Sequence, residues 1–303
     1  MFFIIKWYNK ANKKQNQGGI KVNTLKTFFL MAIMTFILMF IGNLIAGQNG
    51  TIVALIIAGA MNFISYWWSD KIVLSMYGAQ PVDSNSHLYH IVENLAKRAN
   101  LPMPKVYIIN EQQPNAFATG RNPQHPAVAV TRGLMDIVDD NELSGVLGHE
   151  LGHVQHRDIL ISTVAATMAG AISFLANMAK WSAIFGGNRR DDDNGGGNPI
   201  ALLGVAIFAP LAALLVQMAI SRTREYKADR FGATVSGNPE YLANALRKLD
   251  MYSRRIPMSN AVPATENMFI VSPLTGSKMA NLFSTHPSTE DRIRKLEEMK
   301  YER

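Results

Sequence analysis

Residues Asn141 to Phe174, NELSGVLGHELGHVQHRDILISTVAATMAGAISF, join a histidine cluster to an apolar segment. Within this stretch, HELGH places His149 and His153 four residues apart, on one helix face and about 6 Å apart along the axis. Both imidazoles can therefore bind one zinc ion, with Glu150 positioned as the base for a zinc-activated water. His156 lies about 10 Å along the axis from His149, too far to bind the same ion, so the third ligand must come from elsewhere.

The segment SRTREYKADRFGA, residues 221–233, offers the best candidate for the third ligand. Glu225 and Asp229 have helical spacing there, although an ordinary charged helix face would show the same pattern. Glu225 follows an apolar block, as His153 precedes one, so both motifs are expected near one membrane surface. A His-His-Glu set leaves one coordination position open for catalysis, and Asp229 would then support a ligand histidine.

Apolar residues are concentrated in blocks that contain no charged side chain, which indicates a membrane protein. A block of 20 residues spans about 30 Å as a helix, the thickness of the hydrocarbon core of a bilayer. The sequence therefore predicts four transmembrane helices, within the blocks Thr27–Ala46, Ile52–Trp68, Ile159–Ala179 and Ile200–Ile220.

Basic residues predict the orientation of these helices. The segment before the first block contains six lysines and no acidic residue, and an excess of Lys and Arg marks the cytoplasmic side of a cell membrane. The predicted organisation is a cytoplasmic segment 1–26, a transmembrane hairpin 27–68, a first catalytic part 69–158, a second hairpin 159–220 with an external loop 180–199, and a second catalytic part 221–303. Both catalytic parts are expected in the cytoplasm.

Composition narrows the chemistry and the partners. The chain has no cysteine, which excludes disulfides, a thiolate nucleophile and cysteine ligands to zinc. Its net charge of +7 fits contact with an anionic lipid bilayer. Because no basic stripe with interleaved aromatic residues is present, we expect no nucleic-acid partner.

The segments outside the apolar blocks predict a small mixed domain. Hydrophobic periodicity predicts a helix within 70–100, another from Asp140 or Asn141, and a third from Ser288. Short strands are predicted at Lys105–Ile109, Asn115–Thr119 and Ala127–Thr131, and a lid-like region at 252–287. The fold class is thus an α-helical membrane protein with a mixed α+β, zincin-like (gluzincin) catalytic domain on the cytoplasmic side.

The segment PNAFATG, residues 114–120, has two structural interpretations. As an edge strand beside the zinc helix it would pair with an extended substrate, with the Asn115 side chain and the Ala116 backbone holding the substrate main chain. The same letters also suit an ordinary core strand.

Four motifs, GHELGHVQHRD, SRTREYKADRFGA, PNAFATG and STHPSTEDRI, together resemble the HtpX-type membrane zinc metallopeptidases, relatives of the endopeptidases that process prenylated proteins. The resemblance implies that His149, His153 and Glu225 bind zinc and that Glu150 is the general base. It also implies that His286 stabilises the oxyanion of the tetrahedral intermediate, although a structural histidine before a helix cap would look alike. The expected role is stress-related quality control, with damaged membrane proteins or unfolded polypeptides as substrates.

Other classes of protein would show different sequence features. An intramembrane protease would carry HExxH deep in an apolar run, whereas Arg157 and Asp158 follow the motif here, and burying charges in lipid costs about 2.5–3.5 kcal/mol each. A transporter would have ionisable residues within its spans, whereas the four blocks here contain no charged side chain. A non-catalytic zinc scaffold has no need of Glu150. A prenyl-processing endopeptidase stays an alternative, since motif spacing does not exclude it.

Overall fold

The computed structural model describes residues 2–168, 222–253, 268–270 and 287–301. The helices among them are α1 (Phe2–Met76), α2 (His87–Ala99), α3 (Arg132–Ile137), α4 (Asp140–Gln155), α5 (Ile159–Met168), α6 (Arg222–Ser236), α7 (Pro239–Ser253) and α8 (Thr289–Glu298). The strands are β1 (Gln80–Pro81), β2 (Lys105–Ile109), β3 (Ala116–Gly120) and β4 (Pro126–Thr131). This mixture of helices and one small sheet agrees with the mixed α+β prediction.

Helix α1 folds back on itself near Gly47, which has a φ of 58°. The amide of Asn62 donates to the Thr35 hydroxyl at 2.9 Å, although these residues would be about 40 Å apart along a straight helix. Gly42 lies so close to Gly50 that a Cβ atom on it would be 2.4 Å from the Gly50 carbonyl oxygen. The two arms of α1 therefore pack as an antiparallel pair, which we call the α1 hairpin.

The outer surface of this pair is apolar. Large hydrophobic side chains along both arms are exposed, among them Phe36 (70%), Ile56 (67%) and Phe28 (58%). Within the described ranges, one helix, Gly47–Met76, is long and apolar enough to cross a membrane, while Leu25–Phe40 and Ile159–Met168 are shorter apolar helices. Most of the second predicted hairpin, including the block at 200–220 and the loop at 180–199, lies outside the described residues.

The predicted helix within 70–100 is wrong in its first half. Residues up to Met76 continue α1, and the chain then turns at Gly78, whose φ is 58°. Pro81 follows in the short strand β1, and α2 begins only after Ser86, whose hydroxyl accepts a hydrogen bond from the Tyr89 amide. A left-handed glycine and a proline, which lacks an amide hydrogen, explain why one helix cannot run through this segment.

The sheet has the strand order β1-β2-β4-β3, with β2 and β4 parallel and the other pairs antiparallel. Alternate residues of β4 face opposite cores, as the geometry of a strand requires. Val128 and Val130 pack with the helices that carry the site, while Ala127 and Ala129 pack with the end of α1 around Tyr77. The sheet thus connects the α1 hairpin to the helices that carry the histidine motif, and β3 lies at its edge.

A reciprocal cap fixes the start of α4. The Asp139 carboxylate accepts the Glu142 amide at 2.9 Å, and the Glu142 carboxylate accepts the Asp139 amide at 3.0 Å. The N-cap is therefore Asp139, and α4 begins at Asp140, one of the two predicted starts. Lys248 of α7 pairs with Glu142 at 2.6 Å, which anchors this end of the zinc-motif helix to the rest of the domain.

Glycines let α4 approach its neighbours closely. A Cβ atom on Gly148 would meet Gly232 of α6 at 3.0 Å, and one on Gly152 would meet Ala228 at 2.9 Å. A Cβ atom on Gly145 would meet the backbone of Leu242 in α7 at 2.5 Å. We call this contact of Gly148 and Gly152 with Ala228 and Gly232 the glycine seam; it brings the backbones of α4 and α6 together beside the histidines.

Replacing Gly232 with alanine is expected to destabilise the domain by about 1–3 kcal/mol, the usual cost of inserting a group into a packed site. The new Cβ atom would lie 2.6 Å from the His149 backbone nitrogen, and backbone atoms cannot rotate away. Thermal unfolding of purified protein measures the loss. Thr234→Ala, at an exposed position of the same helix, is the control and should leave the unfolding temperature nearly unchanged. Equal stability of the two variants would contradict the contact.

Candidate active site

Three side chains from two helices point to one location. His149 and His153 come from successive turns of α4, and Glu225 comes from the first turn of α6. His149 is 1% exposed and Glu225 6%, while His153 is partly exposed. These three residues form the only group among the described ranges that has the donors and spacing to hold a metal ion.

The distances between the donor atoms fit a tetrahedral zinc ion. His149 Nε2 lies 3.1 Å from His153 Nε2 and 3.7 Å from a Glu225 carboxylate oxygen, and His153 Nε2 lies 3.6 Å from the other oxygen. Two donors that are each 2.0–2.1 Å from a tetrahedral zinc ion are about 3.3–3.4 Å apart. The three residues therefore fit zinc and leave a fourth position for water or substrate.

A carboxylate lies beside the Nδ1 atom of each imidazole, the ring nitrogen that does not face the metal position. Asp229 Oδ1 lies 2.8 Å from His149 Nδ1, and Asp158 Oδ2 lies 3.4 Å from His153 Nδ1. An imidazole that donates its Nδ1 hydrogen to a carboxylate presents the Nε2 lone pair to a metal. The structure thus places Asp229 where sequence spacing expected a supporting residue, and it adds Asp158 on the opposite histidine.

Arg292 completes the support of His149 from α8. Its guanidinium donates to both Asp229 oxygens, at 2.9 and 2.7 Å, and to the Ile270 carbonyl at 2.9 Å. Arg292 is 2% exposed, so this bidentate pair is fully desolvated. Burial disfavours its charge, but the Asp229 carboxylate outweighs burial and raises the pKa of Arg292.

The site also shifts the pKa of its own titrating groups. Burial, with the charge of Arg292, lowers the pKa of His149 to about 4, so this imidazole is neutral, as a ligand must be. Burial lowers the pKa of His153, but the carboxylates of Glu225, Asp158 and Glu150 outweigh it and raise the value to about 9. A cation bound among these carboxylates displaces that proton, since it competes for the same lone pair.

Glu150 lies between the histidines and the edge of the sheet. Its side chain is 1% exposed and accepts a hydrogen bond from the backbone amide of Ala118 in β3. Burial, together with the nearby Glu225, raises the pKa of Glu150 to about 8. A carboxyl group with a pKa near neutrality can both accept and return a proton, which is what a general base and acid must do.

The residues predicted to hold substrate lie at the same edge. Asn115 is fully buried, and its side-chain oxygen accepts the Ala116 amide at 3.1 Å. The Ala116 carbonyl accepts the Ile270 amide at 3.4 Å, so residues 268–270 lie beside β3. Residues 268–270 form a short 3₁₀ and bend segment. Substrate binding by Asn115 and Ala116 stays a prediction.

Two supporting residues were missed from the sequence. Asp158 is 2% exposed and faces His153. Arg157, with a φ of 59°, ends α4, and the Asp158 amide then donates to the His153 carbonyl at 2.9 Å, which turns the chain back. Arg292, on α8, was not predicted at the site either. His286 lies outside the described residues.

Comparison with known proteins agrees with this geometry. A model of peptidase family M48 matches residues 83–300. The chain belongs to peptidase family M48. It is therefore a metallopeptidase, a hydrolase of a zinc-dependent family, and the exposed apolar hairpin agrees with a membrane protein.

Relatives within the family extend over nearly the whole chain. A "Protease HtpX homolog" from Desulforapulum autotrophicum is 57% identical over 276 residues, which is 90% of this chain and 89% of the relative. Another, from Syntrophotalea carbinolica, is 56% identical over 279 residues, 92% of this chain and 99% of the relative. The crystal structure of Ste24p from S. mikatae aligns with a TM-score of 0.47 at 17% identity, over 96% of this chain and 67% of that one.

Replacing Asp229 with asparagine is expected to weaken zinc binding by about 10- to 100-fold, the usual effect of losing a group that supports a ligand histidine. The amide no longer carries the charge that orients His149 and pairs with Arg292. Zinc affinity is measured by competition with a chelator of known affinity, on samples whose circular dichroism shows a folded domain. Asp291→Asn, in an exposed pair on α8, is the control. Unchanged zinc affinity in the folded Asp229 variant would rule out the supporting role.

Proposed function

We propose that this chain is a multi-pass membrane zinc endopeptidase that cleaves damaged or misfolded membrane proteins at the cytoplasmic face. The observation that carries the proposal is the His149, His153 and Glu225 set with Glu150 beside it, at the foot of apolar helices. Its expected place is the cell membrane, with four spans and the N-terminus in the cytoplasm.

Each residue of the site has a distinct task in this proposal. His149, His153 and Glu225 would hold a zinc ion, which would supply a Lewis acid to polarise the scissile carbonyl and to activate water. Glu150 accepts the proton of the attacking water and delivers it to the leaving amine. The Ala118 amide holds the Glu150 carboxylate between β3 and the ligands. An extended substrate lying along β3 would therefore pass directly over the base.

The peptidase activity is tested by incubating the full-length, detergent-solubilised protein with casein as an unfolded substrate. Cleavage is expected with zinc, loss of cleavage after chelation, and recovery when zinc is returned. A membrane-protein arm compares a stable membrane protein with its destabilised variant in proteoliposomes, where the destabilised form should be cut faster. Equal rates would contradict the quality-control role, and faster cleavage of a prenylated peptide would favour the prenyl-processing alternative.

The orientation can be tested with introduced cysteines, because the chain has none of its own. Ser84→Cys lies in an exposed loop of the catalytic domain, and Asn49→Cys lies in the exposed turn of the α1 hairpin. A membrane-impermeant maleimide added to intact cells should label the cysteine at position 49 and label the one at position 84 only after lysis. The reverse pattern would place the active site outside the cell.

A further inference from the structure

A pocket with two arginines lies where the membrane hairpin meets the catalytic domain, apart from the metal ligands. Its walls include Arg121 and Asn122 from the β3–β4 turn, Arg157 from the end of α4, Ile159 and Leu160 from α5, and Thr27 from α1. One side of the pocket is thus cationic and the other is the start of apolar helices.

The guanidinium groups of Arg121 and Arg157 make few hydrogen bonds to the described residues. No carboxylate among the described residues lies within ion-pair distance of Arg121 or Arg157, although both side chains are half-buried. Arg121 makes one long contact of 3.4 Å to His125 Nε2, whose Nδ1 faces the Asn122 side-chain oxygen at 2.9 Å. Since each guanidinium has five N–H donors, most of these donors have no partner among the described residues and can bind a ligand.

The surroundings of the pocket indicate its depth relative to the bilayer. The Arg121 guanidinium lies 4.8 Å from the ring centre of Trp67, which is 45% exposed on α1. Trp67 lies at the end of the uncharged block Ile52–Trp68, and tryptophan at the end of an apolar block is typical of the headgroup level of a membrane. Exposed Phe28 and Phe29 follow Thr27 along the hairpin. The arginines therefore lie at headgroup level, with apolar surface extending from them in one direction.

We propose that Arg121 and Arg157 bind the phosphate of an anionic phospholipid at the junction of the hairpin and the catalytic domain. Guanidinium groups match phosphate oxygens in geometry and charge, and two of them can bind one phosphate from different sides. The apolar residues at the pocket and on the hairpin beside it offer a surface for the acyl chains, which a free phosphate would leave uncovered. The inference rests on membrane attachment and is independent of peptidase activity.

Lipid binding is tested by native mass spectrometry of the full-length protein in detergent, titrated with dioleoylphosphatidylglycerol or dioleoylphosphatidylcholine. The variant Arg121→Gln/Arg157→Asn removes both charges, and asparagine tolerates the left-handed backbone at position 157. The control Arg247→Gln/Arg294→Gln removes two charges from exposed, paired arginines on α7 and α8. Circular dichroism checks that each variant is folded, and Arg121→Gln alone replaces the double variant if that one is not.

The wild type should bind the phosphatidylglycerol at least ten times more tightly than the phosphatidylcholine. The Arg121/Arg157 variant should lose most of that preference, or part of it for Arg121→Gln alone, and the control should keep it. Inorganic phosphate should neither displace the lipid nor bind with similar affinity. An equal loss in the control would show a general charge effect and overturn the proposal. Tight binding of inorganic phosphate, or the absence of any lipid preference in the wild type, would overturn it as well.

Discussion

Glu150→Gln is expected to keep its zinc and to lose peptide hydrolysis by about 10²- to 10⁴-fold, the range supplied by a positioned general base. Glutamine has the same shape, so the contact with the Ala118 amide region and the packing around α4 are retained. What the variant lacks is the carboxylate that accepts a proton. The measurement is the initial rate of casein cleavage, with zinc per chain determined on the same samples.

The control for this variant is Glu142→Gln, another buried glutamate of α4, which caps the helix and pairs with Lys248. It should lower the unfolding temperature while leaving the cleavage rate of the folded protein nearly intact. The comparison separates a loss of catalysis from a loss of stability. If Glu150→Gln binds zinc and still cuts at the wild-type rate, Glu150 is not the base.

Glu225→Gln is expected to lower zinc affinity by more than the roughly 10- to 100-fold that follows loss of a supporting residue, because a direct ligand is removed. Cleavage should fall in proportion to the zinc retained. The ligand set would then be two histidines, and Glu225 would no longer offer the charge that faces both Nε2 atoms. Zinc is measured after dialysis against a weak chelator, and activity is measured again with excess zinc.

Glu240→Gln is the matched control, since Glu240 is an exposed glutamate of the neighbouring helix α7 and pairs with Lys300. Its zinc content and cleavage rate should equal those of the wild type. A Glu225 variant that retains full zinc after dialysis would show that the third ligand lies elsewhere in the chain.

Helical periodicity was sufficient to bring the two histidines of the site together. Four residues on a helix place His149 and His153 on one face whatever the rest of the fold does. Glu225 was harder to predict, because its position depends on the packing of α6 against α4. The expectation that both motifs lie near one membrane surface supplied the missing information.

Asp158 and Arg292 could not be predicted for a physical reason. Asp158 reaches His153 only because Arg157 adopts a left-handed backbone that ends α4 and reverses the chain. Arg292 meets Asp229 across 63 positions of sequence, through a tertiary contact that no local pattern encodes. A sequence pattern predicts which residues share a face of one helix or strand. The Asp158 contact depends instead on the conformation of a turn, and the Arg292 contact depends on the packing of a distant helix.

The apolar segments show the same limit. The absence of charge distinguished the blocks, and α1 turns at Gly47, between the first two of them. The length of α1 beyond Trp68 was not predicted, because Asp70 and Lys71 suggested the start of a separate amphipathic helix. The helix continues through these charges as far as Met76, whose neighbours pack beneath the sheet.

The glycine seam determines whether the domain stays folded when zinc is removed. Backbone atoms cannot change rotamer, so the contact of Gly148 with Gly232 keeps His149 and Glu225 at their spacing without help from a cation. In zinc fingers the energy of metal binding is folding energy, and removal of the metal unfolds the domain. We therefore expect this domain to fold before it binds zinc. A chelator should therefore stop peptide hydrolysis while the domain keeps its structure. Returning zinc should restore activity without any refolding step.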